Sequence, residues 1–148
     1  MGFIDVIKEK ARADKKTIVL PESMDRRTWV AAEKILKEDL ANLVIIGTPE
    51  DIGEHSSGLD VSGATIINPR TYEKTQEYID LFVELRKAKG MTEEKARETI
   101  LNDYAYYGCL MIKKGDADGM VSGACHSTAN TLRPCLQVIK TKPGNSIV

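Results

Sequence analysis

Two hydrophobic periods alternate along these 148 residues. Short continuous apolar runs occur at Thr17-Ile18-Val19-Leu20, Asn42-Leu43-Val44-Ile45-Ile46-Gly47 and Ala64-Thr65-Ile66-Ile67-Asn68, with a fourth from Asp118 to Ser122. Pro21 closes the first and Pro69 stops the third. Such runs predict strands buried on both faces rather than strands with one wet side. Between them the spacing is helical. Phe3, Ile4, Ile7 and Ala11 recur among charged residues and predict a short amphipathic first helix. Asp25 is a plausible cap for a second helix, with Trp29, Ala32, Leu36 and Leu40 on one face. Thr48-Pro49 opens a short polar helix to about His55, and a loop follows through Leu59. Tyr78, Ile79, Phe82 and Leu85 mark a long helix from about Thr71 to Lys89, ended by Gly90. Thr92 with Glu93 and Glu94 starts another, through Leu101. Asp103 to Lys114 is apolar on most faces and predicts a helix buried between neighbours, with Gly115 ending it. A last helix is expected from about Ser127 to Thr141, bent by Pro134, before Lys142-Pro143-Gly144-Asn145 breaks regular structure.

Strands of this kind alternating with helices imply an α/β fold. The expectation is a three-layer α/β/α domain around a mainly parallel sheet with right-handed crossovers. The length suits one domain with a sizeable core. A net charge of −1 gives no global field to recruit nucleic acid or an anionic membrane, so affinity for anions must be local. No apolar run approaches the roughly 20 residues that span a bilayer, and the mixed charges of the first 16 residues do not read as a signal peptide. Cys109, Cys125 and Cys135 are odd in number and lack CxxC spacing, which points to a reducing cytoplasm rather than disulfides or zinc.

Candidate chemistry concentrates in Ala117 to Pro134, ADGMVSGACHSTANTLRP. An apolar strand enters the small-residue turn Ser122-Gly123-Ala124, and hydroxyls and a helix carrying Arg133 follow. A strand ending in a glycine turn lets the next helix start close by, with free backbone N–H groups aimed at an anion. Ser127, Thr128 and Thr131 read either as helix caps or as anion donors, and Arg133 either as a surface ion-pair partner or as a bidentate grip. His126 could be a general base or a hydrogen-bonded structural histidine. Cys125 reads best as a small buried residue. Asp116 and Asp118 read as turn formers rather than a Mg²⁺ pair, and no GxGxxG or GxxxxGKS occurs. Ligands of open parallel sheets bind beyond the strand carboxyl ends, where Pro21-Glu22-Ser23, Asn68-Pro69-Arg70 and Ser122-Gly123-Ala124 should lie. Arg86 sits at the rim of a buried helical face, Lys87 and Lys89 form a solvated face, and His55 is assigned nothing.

SGACHSTANTLRP, with VLPESMDRR at 19–27 and ELRKAKG at 84–90, resembles the amino-terminal half of the phosphate acetyltransferases, within the phosphate acetyl/butyryltransferase family. The resemblance covers essentially the whole chain and is specific in 117–134. It implies the isocitrate/isopropylmalate dehydrogenase-like version of the α/β/α fold, with residues 1–143 as the first of two domains and 144–148 starting the crossover into the second. The implied reaction is acetyl-CoA plus phosphate giving acetyl phosphate plus CoA, without a resident cofactor or metal. On that resemblance Ser127, Thr128 and Thr131 become phosphate-side donors and Arg133 and Arg86 charge clamps. Arg133 and Ser127 are then the catalytic bets; Ser122 and Gly123 shape the loop and His126 lies against the substrate. The family's base and most of its coenzyme A surface are expected beyond Val148, so this chain is expected to be inactive alone. A phosphate butyryltransferase, or a non-catalytic sensing module like that fused to some malic enzymes, is the alternative. The resemblance also implies cytoplasmic small-molecule chemistry and a homodimer at full length.

Overall fold

A computed structural model describes residues 1–146. Strands β1 (Thr17–Leu20), β2 (Asn42–Ile46), β3 (Thr65–Ile67) and β4 (Gly119–Met120) form one parallel sheet in the order β3-β2-β1-β4. Residues 147 and 148 of the expected crossover lie outside the described residues. The helices are α1 (Phe3–Ala13), α2 (Arg26–Lys37), α3 (Pro49–Ile52), α4 (Thr75–Arg86), α5 (Glu93–Asn102), α6 (Tyr104–Lys114) and α7 (Thr128–Pro134).

Both faces of the sheet are apolar because both are covered. Leu20, Leu43 and Ile45 pack against Trp29 and Ala32 of α2. Val19, Val44, Ile46 and Ile67, pointing the other way by the two-residue period of a strand, pack against α4, α5 and α6. This is the expected three-layer arrangement. Trp29, Tyr78, Phe82 and Tyr107 are almost wholly buried, each contributing roughly 1.5–3 kcal/mol of transfer free energy. α6 is buried from Tyr104 through Met111, as a helix between neighbours should be. Close approach there needs Gly108, where a Cβ would stand 2.7 Å from Met120 Sδ and 3.1 Å from Val19 Cγ1.

Several boundaries differ from the sequence expectation, each for a local reason. α2 stops at Lys37 because Asp39 turns left-handed at φ 56°. α3 ends at Ile52 where Gly53 takes φ 45°. The long helix begins at Thr75, not Thr71, since the chain first turns about Asn68 O, which accepts from the N–H groups of Thr71 and Tyr72. Lys87–Lys89 tightens into a 3₁₀ turn before Gly90. The fourth strand is only two residues long: Val121 N still donates to Val19 O, and the chain then leaves the sheet. The last helix is α7 followed by a π-helical turn, Cys135–Ile139. Pro134 has no N–H to continue the i→i−4 ladder, and the wider pattern appears in Lys140 N donating to Cys135 O.

Asp116 and Asp118 tie elements together. Tyr78 Oη donates to Asp116 Oδ2 at 2.6 Å, and Thr17 N donates to Asp118 Oδ2 at 2.8 Å. α1 buries no residue and leaves Phe3, Ile4 and Ile7 exposed. No helix among the described residues is long and apolar enough to cross a membrane.

Candidate functional site

The β1 and β4 carboxyl ends lie side by side, so the loop after β1 meets the loop after β4. Sequence separation hides this meeting: Glu22 follows Pro21 at the end of β1, about a hundred residues from its partners. Its carboxylate, 3% exposed, lies inside the concave turn of residues 123–126. Gly123 N (2.7 Å) and Ala124 N (2.9 Å) donate to Oε1. Cys125 N (2.6 Å) and His126 N (3.1 Å) donate to Oε2. Four consecutive N–H groups can converge on one anion because Gly123 takes φ 124°, which other residues rarely adopt. The backbone N–H groups of the glycine turn, as distinct from those at the α7 start, are therefore already engaged by an anion from the chain itself.

Burial pushes the Glu22 carboxyl upward, but hydrogen bonds from Cys125, His126 and the loop N–H groups outweigh it and hold it well below the usual carboxylate range. The His126 ring stands between two carboxylates, Nδ1 at 2.9 Å from Glu22 Oε2 and Nε2 at 3.4 Å from Asp103 Oδ1. Asp103 also caps α6 by accepting from Ala105 N. Of the two roles open to His126, the geometry supplies the hydrogen-bonded one. Cys125 is exposed rather than buried, contrary to expectation, because its loop bends away from the sheet. Although the residue as a whole is exposed, partial desolvation of its sulfur and the neighbouring Glu22 carboxylate push the thiol up to about 12, so it stays protonated and weakly nucleophilic. Donor atoms of Glu22, Cys125 and His126 do lie within 4.8 Å of one another. The Glu22 oxygens nonetheless accept five hydrogen bonds, and a cation there would have to displace them.

On the outer side of this loop is an open hollow of about 200 Å³ lined by Ser122, Gly123, His126, Thr128, Thr131 and Leu132. It gathers five of the residues singled out from sequence. Ser122 Oγ and Thr131 Oγ1 are buried without a hydrogen-bond partner among the described residues. Unpaired buried hydroxyls are costly, and a small rotation of either side chain into the hollow would let a polar ligand there satisfy it. Ser127 sits beside it as the α7 cap, its hydroxyl oxygen accepting from Asn130 N at 3.1 Å.

The two arginines stand apart from the hollow. Arg133 is exposed and donates to Asn130 Oδ1 at 3.1 Å, while Arg86 ends α4 half-buried. Both surround Tyr106: burial pushes its phenol up, Asp103 adds to that, and the Arg133 and Arg86 charges pull the other way. Tyr106 Oη donates to Gln137 Oε1 at 3.0 Å. Among the described residues, no Lys or Arg lines the hollow itself.

The role of Glu22 was missed from sequence, although its loop was named. Finding it required knowing that β4 pairs with β1, and nothing local to Glu22 carries that information. Arg27 was missed likewise: its Nη2 donates to Ala124 O at 2.5 Å and to Asp25 Oδ2 at 2.7 Å, bracing the loop from behind.

A family model described as phosphate acetyl/butaryl transferase matches residues 2–148. The phosphate acetyltransferase of Thermoanaerobacterium thermosaccharolyticum is 52% identical over 148 residues, covering all of this chain and 45% of that protein. That of Acetivibrio thermocellus is 51% identical over 148 residues, covering all of this chain and 44% of the relative. Among solved structures, EutD phosphotransacetylase from Staphylococcus aureus superposes with TM-score 0.85 at 42% identity, over 97% of this chain and 44% of its own. A phosphotransacetylase from Streptococcus pyogenes gives TM-score 0.88 at 41% identity, over 99% and 46%. The chain thus spans about half the length of the curated relatives it matches.

Proposed function

The chain belongs to the phosphate acetyl/butaryl transferase family, and from that premise we propose that it carries the phosphate side of a site for reversible acetyl transfer between coenzyme A and inorganic phosphate. The observation that supports this most is the hollow with its two unpaired buried hydroxyls, Ser122 Oγ and Thr131 Oγ1. In the forward direction a phosphate oxygen attacks the thioester carbonyl and the coenzyme A thiolate leaves. In reverse the thiolate attacks acetyl phosphate and phosphate leaves. Either way a phosphate oxyanion must be held without being trapped, and hydroxyl donors on a braced loop and the helix after it do this at low reorganisation cost.

In this reading Ser122, Thr128 and Thr131 donate to phosphate oxygens, and Gly123 keeps the loop narrow. Ser127 fixes the start of α7. His126, clamped between Glu22 and Asp103, forms a wall rather than a mobile base. Arg133 has a single exposed tie to Asn130, the kind of surface contact worth little, so its guanidinium is free to swing towards the bound anion. Arg86, across Tyr106, supplies the second charge. Coenzyme A enters as substrate, and hydroxyls and guanidinium groups carry the charge in place of a metal.

With no fixed cation lining the hollow and about half of a relative's length in the chain, we expect phosphate binding without measurable acetyl phosphate formation. Titration of the 148-residue chain with phosphate, followed by amide shifts at 122–131, tests the first statement. An assay with acetyl-CoA and phosphate tests the second. No phosphate-dependent shifts in the hollow would sink the reading, and appreciable turnover would show that the chain suffices for the chemistry.

A further inference from the structure

Among the described residues, the Glu22 carboxylate accepts five hydrogen bonds, and the proposed function gives it no contact with substrate. Glu22 is buried, follows a strand, and places both carboxylate oxygens against four consecutive N–H groups and one imidazole nitrogen. A concave run of backbone N–H groups is a general anion receptor that would accept phosphate or a carboxylate from solvent. Here the receptor and the hydroxyl-lined hollow share Gly123 and His126, and Ser122 of the hollow directly precedes the first receptor N–H.

We propose that Glu22 is a positioning residue that acts as a built-in anion: its carboxylate fills the backbone nest of residues 123–126, fixes the loop, and leaves the hydroxyl side as the seat for a free oxyanion. The seat's identity rests on the functional reading above; the filling of the nest by Glu22 does not. Two consequences follow from the geometry. Neutralising or removing the carboxylate frees four N–H donors at once, so the loop loses its template and Ser122 and His126 lose their fixed positions. An emptied nest would also be accessible. A second hollow, of about 170 Å³ and lined in part by Glu22, Arg27, Thr28 and Ser122, opens beside the carboxylate. A small carboxylate could enter there, close to the Arg27 guanidinium.

The test is chemical complementation in the 148-residue chain. Glu22→Ala removes a CH₂–CO₂⁻ group, and acetate restores nearly the same atoms. The variant should melt lower by on the order of 10 °C, because a buried, fully hydrogen-bonded charge is lost. Acetate or formate at tens of millimolar should return a substantial part of that loss and move the amide resonances of Gly123 to His126 towards their original positions. Chloride at equal ionic strength should not, and acetate should shift the unsubstituted chain far less. Equal stabilisation of both proteins by acetate, or of neither, overturns the proposal. Should Glu22→Ala fail to fold, Glu22→Gln keeps the shape but turns an amide N–H₂ towards the donors. Amide exchange at 123–126 should then speed up by about tenfold or more while β1 and β2 stay protected. Unchanged exchange at 123–126 would equally refute it. Phosphate titration of the unsubstituted chain reports separately on the hollow, so failure of the functional reading would leave the acetate result interpretable.

Discussion

In the proposed reading, Thr131 serves a ligand at the expense of the fold. Its Oγ1 is buried with no partner, a state that costs about 1–3 kcal/mol relative to a satisfied hydroxyl. Thr131→Val replaces that oxygen by a methyl of similar size. If the hydroxyl is a phosphate donor, the variant should gain about 1 kcal/mol in urea unfolding and lose roughly tenfold in phosphate affinity by calorimetry. A gain in stability with unchanged affinity would remove Thr131 from the site. Glu22 makes the opposite exchange, since its full set of donors stabilises the native state. Its folded value lies below its ordinary value of 4.5, so an unfolded chain takes up the proton first as pH falls. The contribution of Glu22 is therefore complete above pH 4.5 and drains away below it, towards the depressed folded value. Asp51 and Asp116 are also held low, Asp51 by Tyr104 and Thr48 despite burial, Asp116 chiefly by Tyr78, so the acid limb is shared. Glu22→Gln should flatten that limb in proportion, read as a shallower loss of melting temperature between neutral pH and pH 3; an unchanged slope would mean that the carboxylate is not selectively stabilised as an anion. Ser122, Gly123, His126, Thr128 and Thr131 were legible as a group because they lie close together in one short stretch of sequence. Arg133 was legible only as a residue type: nothing in the pattern says that its guanidinium turns to Asn130 rather than into the hollow.

Strand ends decide how these side chains are presented, and one glycine governs them. A Cβ on Gly47, just beyond β2, would stand 2.1 Å from Ser23 Oγ and 2.7 Å from Ser23 Cβ. Ser23 is fully buried, and its carbonyl accepts from Trp29 Nε1 at 2.8 Å, so it cannot retreat without disturbing the α2 core. Gly47→Ala should cost about 2–3 kcal/mol by overpacking and loosen Glu22, one residue away from Ser23. Adding Ser23→Ala removes the closer of the two clashing atoms, and should recover part of the loss in a double-mutant cycle. Strict additivity would show that the two positions do not press on each other. The existence of the strands and most helices could be read from the chain, since apolar runs and the 3.6-residue period are local properties. The exceptions are set from outside the segment. β4 is cut short by a loop committed to Glu22, and the α7 ladder widens where Pro134 withholds an N–H. The expected α4 start fails because the chain first turns about Asn68 O, a turn held by Thr75, the first residue of α4, whose Oγ1 donates to Pro69 O at 2.8 Å.

The described chain covers both faces of its sheet yet leaves apolar surface elsewhere. β4 is an edge strand followed by Val121, which is 65% exposed, and α1 presents Phe3 at 78% and Ile4 at 61% exposure. α1 is fastened by polar ties rather than by packing: Lys8 Nζ lies 2.5 Å from Glu38 Oε2, and Arg12 Nε donates to Glu38 O at 2.8 Å. Solvated ties of this kind contribute at most about 1 kcal/mol each, so they place the helix without stabilising the domain much. The hydrophobic stripe that made α1 legible in the sequence therefore points to water, and periodicity alone cannot say what covers such a stripe. Surface of this kind drives association at high concentration when nothing else occupies it. Light scattering behind size exclusion should show the chain moving from monomer towards larger species as concentration rises, more strongly at high salt, where charge repulsion is screened. Phe3→Glu with Ile7→Lys should suppress that shift while leaving the melting temperature within a few degrees, because no α1 residue is buried. A melting temperature that collapses in this variant would mean that α1 is part of the domain core after all. Association that persists unchanged would move attention to the β4 edge, where Val121→Lys is the corresponding substitution.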